Sequence, residues 1–340
     1  MLKKTIRRLG ALAMVLAMAV SVFAVNASAA DKEVVAKKDV TISKTVSASN
    51  KVLTKAETYN FTISAGDAVT ATASTPEIYA GDLGALNSTT PSISLAEGVK
   101  TGTTTITITA SEFDKPGVYR YLVAENAGST DGMTYYNNAK TMDVYVEQVD
   151  GMKSIAAVVV DGETNPNTKS NLDFTNVYAT HNLTVSKKIE GNQANMDGSW
   201  DMIITITGQE GDVFATSVTD RVLRVEKQKD NSYQVTTTVS LGDGDSFIIY
   251  GLSAGDNYRV TEDKANTDGY VTAVTVNNVS KDAVEQTGNT KEGDVTVAYT
   301  NTKQVTTPGG VIMTIAPYAL MVVLAGAFAV VFLTRRNRAE

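Results

Sequence analysis

The strongest constraint on this chain is a set of polar residues placed in apolar rows, which occurs twice. Side chains two apart on a strand share a face. In the first copy Val40, Ile42, Lys44 and Val46 form one row, and Tyr121, Val123 and Glu125 a second. Leu172, Phe174, Asn176 and Tyr178 form the third. The second copy keeps the order, with Leu183, Val185, Lys187 and Ile189, then Tyr258, Val260 and Glu262, then Val295, Val297, Tyr299 and Asn301. Each copy therefore aims a lysine, a glutamate and an asparagine at its own core. The Lys-to-Glu and Glu-to-Asn spacings are 81 and 51 residues in the first copy and 75 and 39 in the second. The same order at unequal spacing implies two related domains with different loop insertions.

Around these rows the chain is rich in Thr, Val, Ser and Tyr, in short alternating runs broken by Gly, Asn and Asp. Such runs, at 40–44, 103–110, 118–125, 143–149 and 295–301, predict antiparallel strands joined by tight turns. No amphipathic helix of more than a few turns is expected, and the Ser/Thr/Ala/Gly-rich stretch 65–98 is weakly patterned. The fold class is all-β, as two tandem Ig-like β-sandwich domains at 30–178 and 179–304. The boundary lies near Ala179 to Asn182, which reads as the interdomain linker.

The two ends carry different signals. Residues 1–29 have a basic start (Lys3, Lys4, Arg7, Arg8), an apolar run and Ala27-Ser28-Ala29, the pattern of a secretory signal peptide. Val311 to Leu333 holds 23 residues without a charge, and Arg335, Arg336 and Arg338 follow. That predicts a transmembrane helix at 311–334 with a basic cytoplasmic tail at 335–340. The flanks outside 30–309 hold seven basic residues and Glu340, so without them the formal charge moves from −7 to −13. An acidic ectodomain offers no footprint for nucleic acid.

Composition excludes several chemistries. The 340 residues include no cysteine, so disulfides, thiol catalysis and thiolate metal sites are ruled out. The single histidine, His181, falls in the expected linker, which leaves a serine nucleophile without a base. Gly242-Asp243-Gly244-Asp245 lacks a full calcium-loop pattern and reads as a hairpin turn. Trp200 reads as a core residue of the second sandwich. No metal or cofactor is expected.

The buried triplets make sense as a reaction. A lone inward lysine usually snorkels to water, and burying three such groups separately would cost several kcal/mol. Together, desolvation favours the neutral amine and the neutral carboxylic acid. A protonated glutamate then polarises the asparagine amide and passes protons to leaving ammonia. The product is a Lys–Asn isopeptide bond joining the first and last strands, Lys44 to Asn176 and Lys187 to Asn301, with Glu125 and Glu262 as catalysts. Folding supplies the proximity, and aligned groups reach effective molarities of roughly 10⁵ M or more.

These residues, with the segments LTVSKK, YRVTED, YTNTK and GVIMTIAPY (310–318), resemble the isopeptide-linkage domains of Gram-positive backbone pilins of the streptococcal T-antigen type. The likeness runs from about residue 38 to the C-terminus. It implies CnaB-type sandwiches, the same Lys, Glu and Asn roles, and no enzymatic activity beyond self-linkage. It also implies polymerisation by a sortase into head-to-tail chains of identical subunits, with a tip adhesin or base pilin as further partners. The subunit would be secreted to the cell surface, pilus or cell wall through a precursor held in the plasma membrane.

Aligned through the tail, the sorting region at 305–310 contains Thr306, Thr307, Pro308, Gly309 and Gly310, and Gly309 stands where the family has its acyl-donor threonine. The resemblance makes Gly309 the donor carbonyl and Lys169, in the polar segment Thr164 to Lys169, the acceptor. The alternative is a non-polymerised, membrane- or wall-anchored adhesin with the same domains. A glycosidase would need a carboxylate pair in one cleft, but Glu125 and Glu262 belong to different copies.

Overall fold

The structure, a computed structural model, describes residues 32–73, 76–161 and 171–304. The expected signal peptide, Lys169, and the expected sorting region and membrane segment lie outside the described residues. Among the described residues, no helix is long and apolar enough to cross a membrane.

The alternating runs form strands because β-branched and aromatic residues fit a pleated, half-buried surface. In the first half, one sheet runs β5 (Thr101–Thr109), β1 (Lys37–Ser47), β10 (Leu172–Tyr178) and β7 (Met133–Thr134). The other runs β4 (Ser92–Leu95), β2 (Glu57–Ala65), β6 (Gly117–Glu125), β8 (Lys140–Val149) and β9 (Met152–Asp161), with β3 (Ile78–Ala80) also on β6. Among its described residues, the weakly patterned stretch 65–98 supplies the end of β2, β3, β4 and one 3-10 turn, Leu83–Ala85.

The second half has a sheet of β14 (Val222–Arg224), β13 (Val213–Thr216), β17 (Ser246–Leu252), β11 (His181–Glu190), β22 (Val295–Thr302), β19 (Val271–Val276) and β20 (Val279–Lys281). Its partner runs β15 (Glu226–Lys227), β16 (Tyr233–Leu241), β12 (Trp200–Thr207), β18 (Asn257–Glu262) and β21 (Gln286–Asn289). Most pairs are antiparallel, consistent with tandem Ig-like sandwiches. The exceptions are β1–β10, β11–β22 and β3–β6.

Two hydrophobic cores result. Ile42, Phe61, Tyr121, Val123, Met142 and Phe174 belong to the first, and Leu183, Ile204, Phe247, Val260, Val297 and Tyr299 to the second. In each, inward side chains of both sheets interlock as in aligned sandwich packing.

The expected linker at 179–182 is corrected by the structure. β10 ends at Tyr178 and β11 begins at His181, which pairs with Leu252 before a register shift at Leu183. Strand pairing reaches back to His181, so only two residues separate the strands. The halves then touch directly. Lys55 Nζ donates to Gln209 Oε1 at 3.1 Å and to Asp212 Oδ1 at 3.2 Å. Gln209 also accepts from the Asp131 backbone N–H at 3.1 Å and donates to the Ser129 carbonyl. Arg224 grips Glu97 through two nitrogens, and a Cβ on Gly132 (φ +75°) would come within 2.7 Å of the Ala179 carbonyl.

Candidate functional site

Both sites are built from a parallel strand pair and one strand of the facing sheet. In β1–β10, Lys44 lies opposite Phe174 and Val46 opposite Asn176. In β11–β22, Lys187 lies opposite Tyr299 and Ile189 opposite Asn301. Lysine and asparagine thus sit on neighbouring strands, offset by two residues, and share the inward face. The glutamates end strands of the other sheet, where Glu125 pairs with Phe61 and Glu262 with Met202.

All six side chains are buried, and Lys44, Asn176 and Asn301 are 0% exposed. Lys44 Nζ donates to Glu125 Oε2 at 2.8 Å, and Asn176 Nδ2 donates to Glu125 Oε1 at 2.7 Å. In the second core Lys187 Nζ reaches Glu262 Oε2 at 2.6 Å and Asn301 Nδ2 reaches Glu262 Oε1 at 2.7 Å. Each glutamate therefore bridges amine and amide with its two oxygens. The structure brings together each triplet that the sequence singles out.

Electrostatics follow from burial. Desolvation pushes both lysine pKa values down from the ordinary range, and the hydrogen bond and charge of the adjacent glutamate only partly oppose it. An aromatic ring covers each amine. Lys44 Nζ is 4.8 Å from the Tyr59 ring centroid, and Lys187 Nζ is 4.7 Å from that of Trp200.

Trp200 is only partly buried; it packs on the core and stacks edge-on against Tyr270. Sequence reasoning placed it in the core but missed its position over Lys187, and it missed Tyr59 altogether. The available signal was an aromatic near the start of the second strand of each copy.

The remaining candidates resolve simply. The Gly242–Asp245 segment is a tight turn, but the expected hairpin is corrected: it carries the chain from β16 in one sheet to β17 in the facing sheet, and these two strands do not pair. Its Asp245 carboxylate accepts from the Gly242 N–H and its Asp243 carboxylate from the Ile189 N–H. His181 is partly exposed, 3.6 Å from Asp294. Glu125 and Glu262 lie in separate cores and form no carboxylate pair.

Two tandem sandwiches, each with a Lys–Glu–Asn bridge between its first and last strands, define a structural protein of the isopeptide-domain class. Residues 40–179 match the Spy0128-like isopeptide containing domain, and residues 181–303 match a domain of unknown function. A pilin of Streptococcus pyogenes serotype M1 is 30% identical over 241 residues, covering 66% of this chain and 69% of that protein. This chain belongs to the pilin family and is a structural subunit of the major-pilin type.

Solved structures agree. The major pilin protein T3.2 of Streptococcus pyogenes is similar over 81% of this chain and 100% of its own, at 25% identity and TM-score 0.56. A second Streptococcus pyogenes major pilin shares the fold over 78% of this chain and 99% of its own, at 22% identity and TM-score 0.56.

Proposed function

We propose that this pilin subunit forms a covalently polymerised shaft in which each domain locks itself through one isopeptide bond, Lys44–Asn176 and Lys187–Asn301. The observation that carries this reading is the bridging glutamate between amine and amide in both cores.

The ammonium–carboxylate pair and the amine–acid pair hold the same number of protons. One proton crossing the Lys44–Glu125 hydrogen bond therefore yields a neutral nucleophile and a general acid. The lysine nitrogen bonds to the asparagine Cγ, and the Cγ–Nδ2 bond breaks. Nδ2 leaves as ammonia with the proton that the lysine gives up, relayed by the glutamate. The aromatic lids exclude water and so strengthen these interactions.

In this reading the domains are CnaB-type sandwiches at 30–178 and 179–304. Residues 1–29 direct secretion, and 311–334 anchor the precursor in the plasma membrane. A sortase transfers the Gly309 carbonyl to Lys169 of the next subunit, giving an open head-to-tail assembly. Tip or base pilins terminate it at the cell surface.

The test is the intact mass of residues 30–309 made without sortase. A deficit of two ammonia masses is expected, and no deficit would overturn the cross-links. With sortase, detergent-resistant ladders that vanish in Lys169→Arg support polymerisation. A single anchored band would instead support the adhesin alternative.

A further inference from the structure

The two sites differ in what the asparagine oxygen meets. In the first, Asn176 Oδ1 accepts the backbone N–H of Tyr136 at 2.8 Å. In the second, Asn301 Oδ1 is buried and has no hydrogen-bond partner. We propose that the Tyr136 N–H is an oxyanion donor for the first site, and that the second, lacking one, closes its bond more slowly. This inference rests on the isopeptide reading above.

Attack by the lysine nitrogen turns the amide carbonyl into a tetrahedral centre whose charge gathers on Oδ1. A donor already aimed at that oxygen is worth most at this moment, because it needs no reorganisation and acts in a dry core. Glu125 cannot serve, since its two oxygens already hold Lys44 Nζ and Asn176 Nδ2. The Tyr136 N–H is placed by the segment leading from β7, which pairs with the end of β10, where Val177 lies opposite Thr134 and Tyr178 opposite Met133. The Tyr136 ring holds that segment down edge-on against Phe174, with centroids 5.3 Å apart at 87°.

The second core puts a different strand beside its asparagine. β19 runs antiparallel to β22 with Thr272 opposite Asn301. Its acceptor is left unpaired, and an unpaired buried charge is far costlier than an unpaired buried dipole. The penalty therefore falls mainly on the tetrahedral state and shows as rate.

The experiment follows both bonds in pulse-labelled chains from cell-free synthesis. Samples are quenched in acid, and the two cross-linked peptides are quantified separately. Removal of one oxyanion donor costs roughly 10²–10³ in rate. The Lys44–Asn176 bond should form first, and replacing Tyr136 by its α-hydroxy acid should slow that bond by about this factor. The Lys187–Asn301 bond, as internal control, should keep its rate. Tyr136→Ala keeps the N–H and should leave the first bond within a few-fold of the unmodified chain.

An unchanged first bond in the hydroxy-acid chain would overturn the proposal. So would equal slowing in Tyr136→Ala, which would assign the effect to ring packing. Absence of both bonds in the unmodified chain would instead remove the isopeptide reading itself.

Discussion

Lys44 sits two residues behind Asn176 along the parallel β1–β10 pair, and Lys187 keeps the same offset from Asn301 along β11–β22. A parallel register puts both side chains of each pair on the inner face with one glutamate spanning them from the opposite sheet. It also makes the first and last strands of each domain neighbours. A bond there would carry tension from the entry of a domain to its exit without loading the strands between.

Glu125→Ala and Glu262→Ala should each abolish one bond and spare the other. Intact mass should rise, relative to the linked chain corrected for the substitution, by one ammonia. The circular dichroism should stay that of a β protein, because the lysine can remain as a neutral amine. A linked first domain in Glu125→Ala would discredit the assigned proton relay.

Loss of a bond should also cost stability. By analogy with disulfide closure, linking residues more than a hundred apart stabilises by about 5 kcal/mol. Lys44→Met fills the same core volume without a nucleophile, so it should lower the melting temperature of the first domain and expose it to trypsin, leaving the second unchanged. Equal resistance of both versions would mean that the link is mechanically useful but thermodynamically idle.

The six bridge residues were legible because strand periodicity puts polar residues in apolar rows, and because the pattern occurs twice. Asn176 and Asn301 were legible as inward-facing, but the oxygen contacts that distinguish them were not. One is a backbone N–H from Tyr136, which no side-chain pattern encodes. The lids Tyr59 and Trp200 lie on strands whose place opposite the lysines depends on how the two sheets stack. His181 was misplaced because the boundary between the two copies falls beside it, whereas pairing with Leu252 draws it into β11. The interdomain contacts join loops distant in sequence, such as Lys55 and Gln209, and no local signal announces them.

That joint gives its own prediction. Gly132 has φ +75°, and a side chain there would also come 3.0 Å from Ser253 Cβ across the boundary. Gly132→Ala should loosen the domain pair without unfolding either core. Small-angle scattering should report a broader range of interdomain orientations, with both cross-links still present by mass. An unchanged profile would mean that Lys55, Gln209 and Arg224 hold the joint unaided.

The same region should make stability depend on pH through Asp256. Burial pushes its carboxyl up to about 7, helped by the nearby Asp212 and Asp131 charges and opposed by the Ser253 N–H that it accepts. Asp212 is raised too, again by burial, against the pull of Lys55. An unfolded aspartate titrates near 3.9, so between about pH 4 and 7 the folded chain holds a proton that the unfolded chain has lost. Stability then falls as pH rises through this window and levels off above it, where both forms are ionised. A shift of this size corresponds to at most about 4 kcal/mol. The melting temperature should therefore rise as pH is lowered from 8 to 5. Asp256→Asn keeps an acceptor for Ser253 but cannot ionise, so its curve should be flatter and lie higher at pH 8. Parallel curves for the two proteins would show that Asp256 is already relieved by solvent or by Lys55 and exerts no control over the joint.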